Sequence, residues 1–104
     1  MSTSPIEHWP ALAQSVTVSG DTLTVALVDG RSISVPLEWY PRLVQGSVAE
    51  RGHWRIIGRG EGIHWPDLDE DISVDNLLAG ARSGESQRSF NQWLESRARA
   101  SRRP

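Results

Sequence analysis

With 104 residues, 38% of them hydrophobic, the chain has the length of one domain with one modest core, and the absence of cysteine excludes disulfides, a thiolate nucleophile and a cysteine-based zinc site. No apolar run approaches the roughly 20 residues that cross a bilayer, and the start, MSTSPIEHWPALAQS, lacks the basic head and apolar middle of a secretory signal, so a soluble cytoplasmic protein is expected. The net charge of -2 conceals three zones: residues 1–60 balance, residues 61–75 hold six acids and no base, and residues 76–104 hold six Arg against two Glu.

Residues 1–13 read as a lead. Ser15-Val16-Thr17-Val18 alternates, Gly20-Asp21 supplies a turn, and Thr22 to Leu27 continues with period two, which predicts a hairpin. Asp29-Gly30 is a strong signal for a second tight turn, and Ser32 to Val35 alternates again before Pro36, which cannot donate to a ladder. Leu23, Val25, Leu27, Ile33 and Val35 are expected on one buried face. Glu38 to Val44 reads as a short helix with Pro41 in its first turn and Gly46 as its stop. Ser47 and Glu50 have the spacing of a capping box, predicting one more helical turn to Gly52.

Trp54 to Ile57 and Ile63 to Trp65 read as a further hairpin with the glycine-rich tip Gly58-Arg59-Gly60-Glu61-Gly62. Asp67 to Asp71 is polar and reads as a turn, with Leu68 and Ile72 able to point inward. Ser73 is placed to cap a helix, Asp75 suits the positive end of its dipole, and Gly80 suits its C-terminal stop. Ala81 to Ser86 reads as a linker. From Gln87 to Arg99, the positions of Phe90, Trp93, Leu94 and Ala98 make one apolar stripe on a helix otherwise covered by Gln, Ser and Arg. The expected fold is therefore α+β: a small antiparallel sheet of about five strands in two hairpins, short helices packed on it, and a C-terminal amphipathic helix. The domain is expected over residues 14–80, with residues 81–104 as linker and Arg-rich tail.

Gly58-x-Gly60-x-Gly62 does not continue as a dinucleotide fingerprint, because Ile-His-Trp-Pro stands where a helix should open. Asp67, Asp69 and Asp71 have the spacing that begins a calcium loop, but Ile72 occupies the required glycine and Leu78 the closing bidentate glutamate. A metal-assisted hydrolase using these three carboxylates and His64 is the enzymatic alternative. His64 beside Glu61 and Asp67 has no nucleophile to activate, since no Gly-x-Ser-x-Gly elbow exists. Trp39, Trp54 and Trp65 are expected at the core and rim of the sheet. The tail bases Arg97, Arg99, Arg102 and Arg103 offer the alternative of an autoregulatory DNA contact. No cofactor and no resident metal are expected.

Asp29-Gly30-Arg31, Trp39-Tyr40-Pro41-Arg42-Leu43, Trp54, Gly60-x-Gly62-Ile63-His64-Trp65-Pro66 and Asp69-Glu70-Asp71-Ile72 occur in order, and over about residues 14–80 this set resembles the bacterial domain of unknown function 2442. The resemblance implies a small α+β domain with no established activity. It also implies an arrangement similar to toxin and antitoxin pairs, with a second small protein encoded alongside. Some members carry a C-terminal helix-turn-helix; the 24 residues after Gly80 are too few for one. Combined with the charge zones, the expectation is an antitoxin-like, non-catalytic module that binds a small cognate protein from a neighbouring gene. Its expected contact residues are the acids Glu61, Asp67, Asp69, Glu70, Asp71 and Asp75 together with Phe90, Trp93, Leu94 and Arg97 of the terminal helix. Homodimerisation through a sheet edge is left open by this reading.

Overall fold

A computed structural model describes residues 11–101 of the protein. Strands β1 (Ala13–Ser19), β2 (Thr22–Leu27) and β3 (Ser32–Pro36) form an antiparallel sheet in that order. Gly20 at φ 60° and Gly30 at φ 96° make the two turns in a backbone region that side chains with a Cβ rarely adopt. The register pairs Leu23 with Val35 and Val25 with Ile33, which places the expected apolar residues on one face. Leu23, Val25, Leu27 and Val35 are buried, and Ile33 packs partly buried against them.

The single five-stranded sheet expected from the sequence is instead two three-stranded sheets. The second comprises β4 (Arg55–Ile57), β5 (Gly62–Trp65) and β6 (Glu70–Ser73), antiparallel and in that order. The segment read as an acidic turn therefore supplies a strand in its second half. The register shows why: Ile56, Ile63 and Ile72 face one another across the three strands on the core side, while Arg55, His64 and Asp71 align on the other side. One inward isoleucine and an outward carboxylate hydrogen-bonded to His64 hold this short strand against the hairpin.

The sheets meet at the lower end of β1, where the Ala13 N–H donates to the Gly60 carbonyl at 2.7 Å. Gly60, at φ 107°, is pressed against this junction: a Cβ there would lie 2.9 Å from the Leu12 Cβ and 3.2 Å from the Ala13 backbone. Between the sheets lies one core, in which Ile63, Trp65 and Ile72 join Leu23, Val25 and Leu27, and the connecting segments add Leu37, Tyr40, Leu43, Leu68, Val74 and Leu77. Trp65 is fully buried and its indole N–H donates to the Arg51 carbonyl at 3.0 Å, whereas Trp39 and Trp54 sit at the rim.

A 3-10 turn at Leu37–Trp39 leads into α1 (Pro41–Gln45), and α2 (Val48–Gly52) follows. Pro41 starts α1, where its missing N–H costs nothing, and the Ser47–Glu50 capping box closes at the start of α2 as the spacing predicts. Helix α3 (Val74–Ala79) is capped by Ser73, whose Oγ accepts from the Asn76 N–H at 3.0 Å, and Gly80 ends it at φ 75°. The last element is α4 (Gln87–Ser101). No described helix is long and apolar enough to cross a membrane. His8 and Trp9, most of the N-terminal lead, and Arg102 and Arg103 lie outside the described residues.

Candidate functional site

The six carboxylates between Glu61 and Asp75 do not form one face. Glu61 folds back on the hairpin tip and accepts the Arg59 N–H. Asp67 reaches His53, with 2.7 Å between its Oδ2 and the ring Nδ1. Asp71 bonds His64 across the β5–β6 ladder, so the partner of His64 is neither Glu61 nor Asp67. Asp69, at φ 50°, the one described residue other than glycine with positive φ, turns its carboxylate towards Arg42 at 3.7 Å. Asp75 is exposed in the first turn of α3. Asp67, Asp69 and Asp71 thus go to three different partners, His53, Arg42 and His64, and among the described residues no group of three His, Cys, Asp or Glu side chains is placed to hold a metal ion.

Asp69, Glu70 and Asp71 do share one feature, a polar cavity of about 450 Å³ between β6, the start of α1 and residues 81–85. Arg42 is its hub. Its Nε donates to Glu85 Oε1 at 2.9 Å, its Nη2 donates to Glu85 Oε2, and its Nη1 donates to the Asp69 carbonyl at 2.9 Å. This two-pronged pair has each side chain only 14% exposed, the setting in which a guanidinium–carboxylate pair is strong as well as geometrically specific. The guanidinium holds the Glu85 carboxyl below the usual glutamate range.

Glu70 is the unbalanced member of the cavity. Its Oε1 accepts the N–H of its neighbour Asp71, but its Oε2 is buried with no hydrogen-bond partner. Burial raises its pKa from 4.5 to about 7, outweighing the opposing pulls of the Asp71 N–H and Arg42, and the charges of Glu85 and Asp71 add smaller upward pushes. The nearby Tyr40 hydroxyl donates instead to the Ala81 carbonyl at 3.0 Å, and its own pKa is raised by burial and then by Glu70.

The segment read from sequence as a linker is fastened to this cavity. Besides the Tyr40 bond to Ala81, the Ser83 N–H donates to the Trp39 carbonyl at 3.0 Å and the Arg82 guanidinium lies over the Trp39 ring at 5.1 Å. Helix α4 continues the attachment through Trp93, which packs against the core cluster and carries two guanidiniums over its ring, Arg42 at 5.0 Å and Arg97 at 4.9 Å. Arg97 donates to both oxygens of Glu50, at 3.0 and 3.2 Å, and to the Gln45 carbonyl at the end of α1. That pairing, with the Ser47 N–H, lowers the Glu50 pKa to about 2. Phe90 stacks on Trp93 at 5.8 Å between centroids, and Leu94 is half-buried. The helix of the expected Arg-rich tail therefore has a place on the body, made by a single aromatic and a set of charges.

Of the contact residues expected from sequence, Asp69, Glu70 and Asp71 line the cavity, while Trp93 and Arg97 adjoin it through the Arg42 clamp. Glu61, Asp67 and Asp75 do not line it. Sequence reasoning missed Arg42, Tyr40 and Glu85. Arg42 and Glu85 are 43 positions apart, and only the meeting of α1 with the irregular chain after Gly80 joins them.

The family model for proteins of unknown function DUF2442 matches residues 13–83. Among solved structures, a protein of unknown function from Rhodospirillum rubrum is similar at 25% identity and a TM-score of 0.64, over 74% of this chain and 95% of that one. An uncharacterised protein from Chromobacterium violaceum, solved by NMR, is similar in fold at 19% identity and a TM-score of 0.61, over 78% of this chain and 74% of that one. No curated protein matches the chain.

Proposed function

This chain belongs to the DUF2442 family, and we propose that it is a non-catalytic protein-binding module of the cytoplasm, the antitoxin-like partner of a small protein encoded beside it. The observation that carries this reading is the way α4 is held. A stable intramolecular helix normally buries a wide apolar stripe; among its described side chains α4 buries none fully, and it is attached through Trp93, Arg97 and the cation–π pairs around them. The radius of gyration is 16.0 Å and the long axis 68 Å, against about 13 Å for the radius of a compact chain of this size.

Such a helix has a second use open to it. Phe90, Trp93 and Leu94 form an anchor set of the kind that occupies a groove in another protein, with Arg97 at the rim. The exposed acids before and on β6 and on α3, Asp69, Asp71 and Asp75, call for a basic complement on the partner's side of the interface. Competing readings draw less support: the hydrolase needs Asp67, Asp69, Asp71 and His64 on one ion, and a DNA-binding tail would have to give up the Arg97–Glu50 pair. Co-expression of the chain with the product of the adjacent gene tests the proposal. A complex that survives purification with the full chain and is lost on deleting residues 82–104 is the expected result; no complex with either form rejects it.

A further inference from the structure

The attachment of residues 81–101 has an opposing element built into it. Three groups close the segment: Arg42 on Glu85, Arg97 on Glu50, and the two guanidiniums on Trp93. Glu70 sits in the same cavity as Ala81, Ser83 and Glu85, with a buried oxygen that no donor satisfies. A buried carboxylate oxygen without a donor is costly, and the cost falls when water reaches it.

We propose that residues 81–101 form a latch, closed on the domain by Arg42 and Arg97 and pushed open by Glu70, so that the helix leaves the body as one unit with its tether at Gly80. The hinge is placed for this. Gly80 stands at φ 75° with nothing within 4 Å of where its Cβ would be, and Gly84 is equally unobstructed. Above the hinge, the body keeps its two sheets and its core, since of α4 only Trp93 packs against that core.

The charges around Glu70 determine how the latch responds to pH. From α1 it faces Arg42, from the residue before α1 the Tyr40 hydroxyl, from β6 Asp71, from the turn before β6 Asp69, and from the latch Glu85 and Arg82; Asn76 of α3 and Ser89 of α4 add neutral polar groups. In the closed state the Glu70 pKa is about 7; opening admits water and returns it towards 4.5. The closed state therefore binds the Glu70 proton more tightly, and closure weakens as pH rises from 4.5 to 7 and then levels off. Glu50 and Glu85 act in the opposite sense, with pKa values lowered by closure, but both are already ionised above pH 5.5 and contribute no slope there.

The latch can be followed with no partner present, which separates its failure from failure of the proposed function. The chain has no cysteine, so Val48→Cys on α2 and Gln92→Cys on α4, both exposed, accept one spin label each. Electron paramagnetic resonance then reads the distance between them at pH 5.5 and pH 8. The full chain is expected to show one short distance at pH 5.5. In Glu85→Gln a longer population is expected, with an open-to-closed ratio roughly five- to tenfold higher at pH 8 than at pH 5.5. Adding Glu70→Gln to Glu85→Gln is expected to abolish that pH response. A single short distance in Glu85→Gln at both pH values overturns the proposal. So does an open full chain at pH 5.5, a pH-independent ratio in Glu85→Gln, or a response that persists once Glu70 is replaced.

Discussion

Glu70 is a carboxyl in surroundings that suit its protonated form, because one oxygen is buried without a donor and two of the nearest charges are also negative. Its pKa rises on folding from 4.5 to about 7, so its contribution to stability is intact below pH 4.5 and declines as pH climbs to about 7. Full exclusion of water would make that decline about 3 kcal/mol, and partial exposure of the side chain reduces it to about 1–2 kcal/mol. Glu70→Gln is expected to recover about that amount at pH 8 and almost nothing at pH 4.5, as measured by urea unfolding at the two pH values. At Gly60, an alanine would meet the Leu12 Cβ at 2.9 Å in a backbone region unsuited to it; Gly60→Ala is expected to cost about 1–3 kcal/mol in the same assay. The glycine's need for positive φ was legible in the hairpin tip. Its role at the junction of the sheets was not, because nothing near residue 60 announces contact with residues 12 and 13.

At the scale of elements, local chemistry was legible wherever a short-range rule governs it. The Ser47 and Ser73 caps, Pro41 at the start of α1 and Gly80 at the end of α3 each depend on groups within four residues, and each occupies the predicted place. Ser47→Ala should destabilise the protein by about 1 kcal/mol through loss of the α2 cap, a difference that thermal unfolding resolves. Strand β6 was obscured because its four residues include two acids, and its stability comes from Ile72 opposite Ile63 and from His64 opposite Asp71 on the other face. Those pairings are tertiary. For the same reason residues 81–86 read as a linker, although Tyr40, Trp39 and Arg42 all hold them. The attachment of α4 carries its own pH signature. Glu50 and Glu85 have pKa values lowered by Arg97 and Arg42, so their contribution is whole above the ordinary glutamate pKa and is lost as pH falls through their depressed values. Amide-exchange protection in α4 is accordingly expected to collapse between pH 4.5 and about 2, ahead of protection in β2 and β5.

The whole molecule is a two-sheet body with one helix fastened to it by charges. The α+β class and the family were legible from ordered motifs, since hairpins and caps are local, whereas the division into two sheets depends on the two hairpin groups packing without a ladder between them, which is tertiary. The acidic zone of the sequence divides in space into a hairpin tip, two His–Asp pairs, an exposed helix start and one side of a cavity. The functional account therefore rests chiefly on α4, with the acids of β6 and α3 as a flanking surface. The most direct test of that account is the molar mass, by size-exclusion chromatography with light scattering, of the full chain co-expressed with its neighbouring gene product. The account predicts a discrete complex with the summed mass of its parts, reduced to free chains by Trp93→Ala together with Leu94→Ala. The same separate species from the full chain and from that double variant would contradict it.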